Sequence, residues 1–246
     1  MLKKKTIFFI FLLIFHISLA TPAWCGQFKM RWVEVDVVLD PDGKALVSYA
    51  VRWSCRGADL HGFYFEGFAG LPRFNYLDAH AVGEDGTRYP LDIIYLSSHK
   101  YDIVLSEGQA FHEGEVTYRF SYETDLQESG HVVLTESQHG RLAVFNWAPV
   151  QWSDALEHET VVIHYPVVME TSNISPEYLS SVKFMTEKYV NQQYSIDYPA
   201  AANAEGNPVL TVRFHRNNLP PRYHFQIQTY INAEYFKLTT MAPSQP

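Results

Sequence analysis

Residues 33–53 have the sequence VEVDVVLDPDGKALVSYAVRW, in which two apolar alternations flank the turn Asp40-Pro41-Asp42-Gly43. Alternating runs on both sides of such a turn predict a β-hairpin. If Leu39 pairs with Ala45, three more apolar pairs follow, namely Val37 with Val47, Val35 with Tyr49 and Val33 with Val51. A slip by one residue would turn these side chains to the other face, so the apolar pairs support this register.

The following residues contain further short strands separated by turns. The clearest is Glu115–Asp125, where every second residue is apolar. A second hairpin is predicted around the turn Gly83–Gly86, between Phe74–Val82 and Tyr89–Leu96. Other predicted strands are Gly62–Glu66, Tyr101–Leu105, Val132–Thr135, Leu142–Trp147 and Glu159–Tyr165. Together they predict a mainly β protein with an antiparallel β-sandwich, immunoglobulin-like or jelly-roll-like, at residues 26–169.

The pattern changes after the sandwich, and residues 170–240 predict a small α+β segment packed on it. Ser175-Pro176-Glu177 has the residues of a helix start. Apolar residues at spacings of four, three and four then predict one helix that ends near Asn191. Two strands are expected to follow, at Val209–His215 and Tyr223–Ile231, and residues 241–246 are expected to form a disordered tail.

The first 25 residues predict a secretory signal peptide. Three lysines at positions 3–5 precede an apolar run from Ile7 to Ile14, and small residues follow. A membrane-spanning helix needs about 20 apolar residues, so the pattern favours a cleaved signal over an uncleaved anchor. We therefore expect an exported protein of the periplasm or cell envelope.

The charge of the chain limits its partners. The formal net charge is -8, and an acidic chain repels the phosphate backbone of nucleic acids. The same charge disfavours broad attraction to anionic lipid. The expected partner is therefore an envelope protein or glycan, and membrane association would come through a partner or an uncleaved signal.

Cys25 and Cys55 are the two cysteines, and they are a candidate disulfide in an oxidising compartment. Signal cleavage before Cys25 would keep the pair, whereas cleavage after Cys25 would remove one partner. The hairpin register, continued straight, places Cys55 opposite Lys29. A disulfide therefore requires the chain before Phe28 to fold back.

The sequence shows no pattern of a catalytic or metal site. The eleven histidines are scattered, whereas metal sites favour closely spaced ligands. The nearest approaches expected are His158 with His164 on one strand face and His215 with His224 across a hairpin. Neither a Gly-x-Ser-x-Gly elbow nor an Asp-x-Asp-x-Asp-Gly calcium loop occurs. We therefore predict no catalytic residues, no metal and no cofactor.

Trp147 and Trp152 are the candidate ligand-binding residues. They flank a short segment that is expected to connect two strands. Exposed aromatic side chains in such a loop can stack on sugar rings or on the apolar surface of a partner. The alternative is that one or both close the end of the sandwich, because tryptophan is mostly buried in proteins.

The first domain resembles the ectodomain of a bacterial family of predicted membrane proteins of unknown function, DUF 2207. The resemblance covers about 140 residues and rests on three features: the opening strand and turn (Val33–Tyr49), the strand GEVTYRFSY (Gly114–Tyr122), and a group formed by Asn146, Trp147, Trp152 and Pro166. Members of that family continue into transmembrane helices, and no comparable apolar run follows the leader here. The family has no established catalytic residues, so the resemblance implies none.

Three functions are compatible with these features. The leading hypothesis is an exported, non-enzymatic interaction or scaffold module of the bacterial cell envelope. The alternatives are a carbohydrate-binding module that uses Trp147 and Trp152, and a secreted hydrolase.

Overall fold

The computed structural model describes residues 26–97, 99–170 and 173–241. Within these ranges the chain is mainly β, as predicted, with fifteen strands and two short α-helices. The predicted signal peptide, Cys25 and all but the first residue of the predicted tail lie outside the described residues. In chain order the strands are β1 (Gln27–Leu39), β2 (Lys44–Leu60), β3 (Gly62–Glu66), β4 (Arg73–Phe74), β5 (His80–Gly83), β6 (Arg88–Ser97), β7 (Lys100–Leu105), β8 (Phe111–Asp125), β9 (Val132–Ser137), β10 (Gly140–Trp147), β11 (Leu156–Val168), β12 (Met185–Thr186), β13 (Ser195–Asp197), β14 (Val209–Leu219) and β15 (Ile227–Asn232).

The strands form two sheets. The larger sheet has the order β13-β14-β11-β1-β2-β8-β5-β6-β7-β3, with β4 also paired to β8. The smaller sheet has the order β12-β15-β10-β9. All pairs among the described strands are antiparallel except β1 with β11, which are parallel over seven residue pairs. The predicted antiparallel sandwich therefore contains one parallel pair, which was not expected because strand patterns do not show which distant strands become neighbours.

The register of the first hairpin is confirmed. Val37, Val35 and Val33 lie opposite Val47, Tyr49 and Val51. A β-bulge between Met30 and Trp32 then shifts the register by one residue. Cys55 consequently lies opposite Phe28 and not opposite Lys29, since a bulge adds one residue to one strand only.

The inner face of the large sheet is covered in two ways. Its own end, β6-β7-β3, folds back over β2 and β8, so that the Phe65 ring lies 5.1 Å from the rings of Tyr49 and Phe120. The small sheet covers the other part, where the Tyr165 hydroxyl of β11 and Thr229 Oγ1 of β15 are 2.7 Å apart. The core therefore lies between one continuous layer and a covering layer made of two pieces.

The predicted single helix is replaced by two helices, α1 (Pro176–Ser181) and α2 (Lys188–Gln193). The predicted start is confirmed, because the Ser175 hydroxyl accepts a hydrogen bond from the amide of Tyr178. The chain leaves the helix at Lys183, whose φ is 53°, and Met185 then pairs with Tyr230 in the small sheet. Strand pairing thus overrides the helical spacing of the apolar residues.

The last strands belong to the two sheets of the sandwich. Strand β14 pairs with β11 in the large sheet, and β15 pairs with β10 in the small one. The expected boundary near residue 169 therefore separates elements that share the same sheets. None of the helices in the described part of the chain has the length and apolar composition needed to cross a bilayer.

Candidate binding cleft

A cleft of about 890 Å³ lies where the two pieces of the covering layer meet. One wall is β3 with the residues that follow it, and the other is the segment 148–154 between β10 and β11. Arg222, His224 and Gln226, which precede β15, complete the second wall. The cleft thus arises because the large sheet folds back with one end while the small sheet covers the rest.

Aromatic side chains form the floor of the cleft. The ring of Phe63 lies 6.0 Å from that of Trp53 and 5.7 Å from that of Trp152. The Nε1 atoms of both tryptophans are buried and have no hydrogen-bond partner among the described residues. Buried donors of this kind are uncommon in folded proteins, and bound water or a ligand usually satisfies them.

Hydrogen-bonded side chains line the second wall. Gln151 Nε2 lies 2.8 Å from His224 Nδ1, and His224 Nε2 lies 2.6 Å from Gln226 Oε1. Gln226 in turn donates to the side-chain oxygen of Asn146. The Arg222 amide donates to the backbone oxygen of Trp152 at 2.7 Å. These bonds hold the segment 148–154 against the residues that precede β15, so this wall is held in place without a ligand.

The rim on the β3 side is acidic. Glu66 forms an ion pair with Lys100 at 3.1 Å, and the Lys100 ammonium lies 4.2 Å from the centre of the Tyr64 ring. Asp102 lines the cleft and makes no salt bridge within the described residues. Partial burial raises the pKa of Asp102, and the nearby charge of Lys100 opposes this effect. A cation at Asp102 would therefore meet an unpaired carboxylate.

Strand β3 is an edge of the large sheet, because β7 is its only partner among the described strands. The Leu105 amide donates to His61 O at 2.8 Å, and the Gly67 amide donates to His99 O at 3.2 Å. Hydrogen-bonded pairs alternate along an antiparallel ladder, so the odd-numbered residues of β3 bond to β7. The backbone groups of Gly62, Tyr64 and Glu66 consequently point away from the sheet.

Gly62 sets the approach of β3 to β7. A β-carbon at this position would lie 1.9 Å from the carbonyl oxygen of Ile103, so only glycine fits. Gly62, Tyr64 and Glu66 all line the cleft. The free edge of the sheet therefore borders the open space of the cleft.

The structure separates the two candidate tryptophans. Trp147, in β10, is only 1% exposed and packs near Phe145, so it does not offer a face for stacking on a sugar. Trp147 ends the strand that was predicted for Leu142–Trp147, and it follows the alternative in which the tryptophan is buried in the sandwich. Trp152 is 6% exposed and lines the cleft. A role in ligand binding stays a prediction for Trp152.

The candidate disulfide stays a prediction, since Cys25 lies outside the described residues. Cys55 is buried, and its Sγ donates to the backbone oxygens of Ala58 at 2.9 Å and Phe111 at 3.3 Å. Gly26 lies beside Gly57, two residues beyond Cys55 in β2. The thiol therefore already has backbone acceptors in β2 and in β8.

His158 and His164 share a strand face, as expected, but the expected approach of His215 to His224 does not occur. His215 lies beside His158, with ring centres 5.4 Å apart, and not beside His224. Burial lowers the pKa of His158, and the charge of His215 adds to this effect. His164 lies on the same strand face and is 2.9 Å from Asp36. No group of three or more His, Cys, Asp or Glu residues that could hold a metal ion occurs in the part of the chain that the structure describes.

Two features of the structure were not predicted from the sequence. The first is the free edge of β3, which depends on the order of distant strands. The second is Glu159, a carboxylate that is 1% exposed on the inner face of β11, with Oε1 unpaired among the described residues. Burial raises the pKa of Glu159 to about 8. Its position was visible in the alternation Glu159, Val161, Ile163, Tyr165, which places Glu159 on the buried face.

Comparisons with known proteins identify no family. No family model matches the chain, and no curated protein is significantly similar in sequence. Among solved structures, the chain is similar to that of a "putative protease" from Parabacteroides distasonis ATCC 8503, with a TM-score of 0.41 and 11% sequence identity. The match covers 83% of this chain and 40% of that protein, so the chain spans less than half of its length.

Proposed function

We propose that this chain is an exported, non-enzymatic interaction module of the bacterial cell envelope that binds its partner in the cleft between β3 and residues 148–154. The observation that supports this function is the combination of an open cavity of about 890 Å³ with a preformed aromatic floor. Largely preformed concave sites that combine apolar walls with a few polar groups are typical of binding sites. The fixed polar wall fits this function because a rigid wall lowers the ordering cost of binding.

A second candidate function is carbohydrate binding through Trp152. The observation in its favour is that this indole lines the cleft, whereas Trp147 is enclosed in the core. Both functions place the partner in the same cleft and differ in its chemistry.

Sedimentation with washed envelope fragments of the producing bacterium tests the proposed function. Ser153 is exposed and lines the cleft, so Ser153→Trp is expected to obstruct it. Ala155 is exposed nearby without lining the cleft, and Ala155→Trp is the matched control. Wild type and A155W should pellet with the fragments, and S153W should stay in solution.

Pretreatment of the fragments separates the two partner classes. Loss of pelleting after protease treatment indicates a protein partner, and loss after digestion of glycans indicates a carbohydrate. Equal pelleting of wild type and S153W, or no pelleting of wild type, would contradict binding in this cleft.

A further inference from the structure

We propose that the partner in this cleft is an extended peptide that adds antiparallel to the free edge of β3 and alternates apolar with basic side chains. This inference rests on the proposed function, because it names the chemical class of the partner for the same cleft. Peptide binding by strand addition takes its affinity from main-chain hydrogen bonds and its specificity from alternate side chains.

The backbone of β3 is arranged for this mode. Gly62, Tyr64 and Glu66 direct their amide and carbonyl groups away from β7, and all three residues line the cleft. A strand added on this side, at the usual spacing of about 4.7–4.9 Å from β3, would satisfy these amide and carbonyl groups. An oligosaccharide lacks amide and carbonyl groups at the repeat of a β-strand, so the edge favours a peptide.

The side chains on the inner face of β3 select apolar residues. Phe63 and Phe65 are buried, and Phe63 contacts Trp53 and Trp152 in the floor. Side chains of an added strand alternate between the two faces of the sheet. Every second side chain of the peptide would therefore enter the cleft above the aromatic floor.

The outer face selects basic residues. In the row that crosses β6, β7 and β3, Ile94, Asp102 and Tyr64 lie side by side on this face. Asp102 has no salt-bridge partner within the described residues, whereas Lys100 is already paired with Glu66. A lysine of the peptide opposite Tyr64 would continue this row and place its ammonium near Asp102, and the net charge of -8 would attract it.

A synthetic probe tests the inference with the full chain. The probe is a blocked heptapeptide of alternating valine and lysine that begins and ends with valine. In the antiparallel arrangement each lysine lies opposite Gly62, Tyr64 or Glu66, and its own amide and carbonyl bond to that residue. The valines point inward, and their amides face away from β3.

Two N-methylated versions of the probe give the decisive comparison. Methylation of the lysine amides should weaken binding about tenfold or more, because it removes the donors to β3. Methylation of the valine amides should leave the affinity within about twofold, because those groups make no bond to the protein. Any other result overturns antiparallel strand addition, including equal losses or no loss in the two peptides.

Amide hydrogen exchange supplies an internal control. Bound probe should slow exchange at Tyr64 and Glu66 by about tenfold, whereas Phe63 and Phe65, which already bond to β7, should change little. The inference is overturned if amide exchange at Tyr64 and Glu66 does not slow, or if it slows equally at all four residues.

Variants of Tyr64 test the edge from the side of the protein. Tyr64→Pro removes an amide that points away from β7, so the ladder to β7 is retained. Tyr64→Ala keeps the amide and is the matched control. In Y64P the probe should no longer slow amide exchange at Glu66, and its affinity should fall about tenfold. In Y64A the affinity for the probe should stay within about threefold of wild type. Equal affinities of the two folded variants overturn the inference, and the methylated probes test it on wild type if Y64P does not fold.

The charge preference has a separate comparison. The lysine probe should bind about fivefold more weakly to Asp102→Asn, and the corresponding valine–glutamate peptide should bind wild type more weakly still. Glu205→Gln changes an exposed carboxylate before β14 and should leave the affinity for the lysine probe unchanged. Equal binding of both peptides would overturn the basic preference.

The failure of this inference differs from the failure of the proposed function. If S153W abolishes sedimentation while none of the peptides binds, the cleft is an interaction site for another class of partner. If S153W and wild type sediment equally, the cleft itself is excluded as the envelope-binding site, whatever the peptides do.

Discussion

Two regions of the sandwich interior differ in how completely they are filled. Under the small sheet, Phe145 and Trp147 pack in the core, and the Tyr165 hydroxyl bonds with Thr229. Under β3, the indole nitrogens of Trp53 and Trp152 have no partner within the described residues, and the space beside them is open. The first region contributes stability through close packing, and the second leaves room for a partner.

The difference shows why Trp147 and Trp152, five positions apart, have separate roles. Trp147 continues a strand and is enclosed, whereas Trp152 follows that strand and stands at a gap in the covering layer. Their residue type is the same, and the position of the covering elements decides what each one does.

The largest expected effect concerns the buried carboxyl group of Glu159. Its charge, when present, helps to raise the pKa of Tyr49, and the Tyr49 ring lies 6.4 Å from that of Trp152. The pKa of Glu159 is about 8 in the folded chain, against an ordinary value of 4.5. The folded chain therefore holds a proton that the unfolded chain has lost, so stability falls as the pH rises from 4.5 to 8. The loss from this group is about 4 kcal/mol, and Glu159→Gln should remove it.

Urea unfolding of wild type and E159Q at pH 5 and pH 8.5 measures this effect. The variant should be close to wild type at pH 5 and clearly more stable at pH 8.5. A difference between the two proteins that does not change with pH would show that Glu159 is ionised in the core.

Trp147→Ala tests the filled region. The substitution leaves a large cavity in a closed core and should lower the free energy of unfolding by about 4 kcal/mol. Trp152→Ala borders space that is already open, so its cost should be about 2 kcal/mol, with loss of envelope binding. Chemical denaturation gives both values. If Trp152→Ala costs as much as Trp147→Ala, the distinction between the two regions fails.

Tyr165→Phe has a smaller effect in the filled region. It removes the hydroxyl that lies 2.7 Å from Thr229 Oγ1 and leaves that buried group without this partner. The expected loss is about 1 kcal/mol, with no change in envelope binding. The double variant with Thr229→Val should recover part of the loss, and an additive further loss would contradict a direct interaction.

Glu66→Gln has the smallest effect on stability. The Glu66 side chain is 59% exposed, and a surface ion pair such as that with Lys100 contributes about 0.5 kcal/mol or less. The melting temperature should therefore change little in thermal unfolding. A loss of more than about 1 kcal/mol would show that the rim is part of the stable core.

Local patterns predicted the elements of this fold well. The apolar alternations gave the correct register for Val33–Val51, and Gly62–Glu66 and the start of α1 were predicted at the observed positions. These features depend on neighbouring residues, which the sequence shows directly. The break at Lys183 was missed because it depends on the pairing of Met185 with a distant strand.

The cleft could be predicted only in part. Trp152 was identified as a candidate because of its residue type and its place after a strand. The edge of β3 was not, because its exposure depends on the order of eleven strands and on the folding back of β6-β7-β3. Polar partners such as His224 and Gln151 lie far apart in the chain, and no sequence spacing indicates their contact.

The parallel pair of β1 and β11 has a consequence for the time course of folding. Trp32 pairs with His158, so one side of β1 stays without its neighbour until more than a hundred further residues have left the ribosome. Contacts between such distant residues form slowly, because a long loop must close first. The first hairpin can form early, but the large sheet is completed late. A chain that is still being synthesised therefore stays incompletely folded until β11 has emerged.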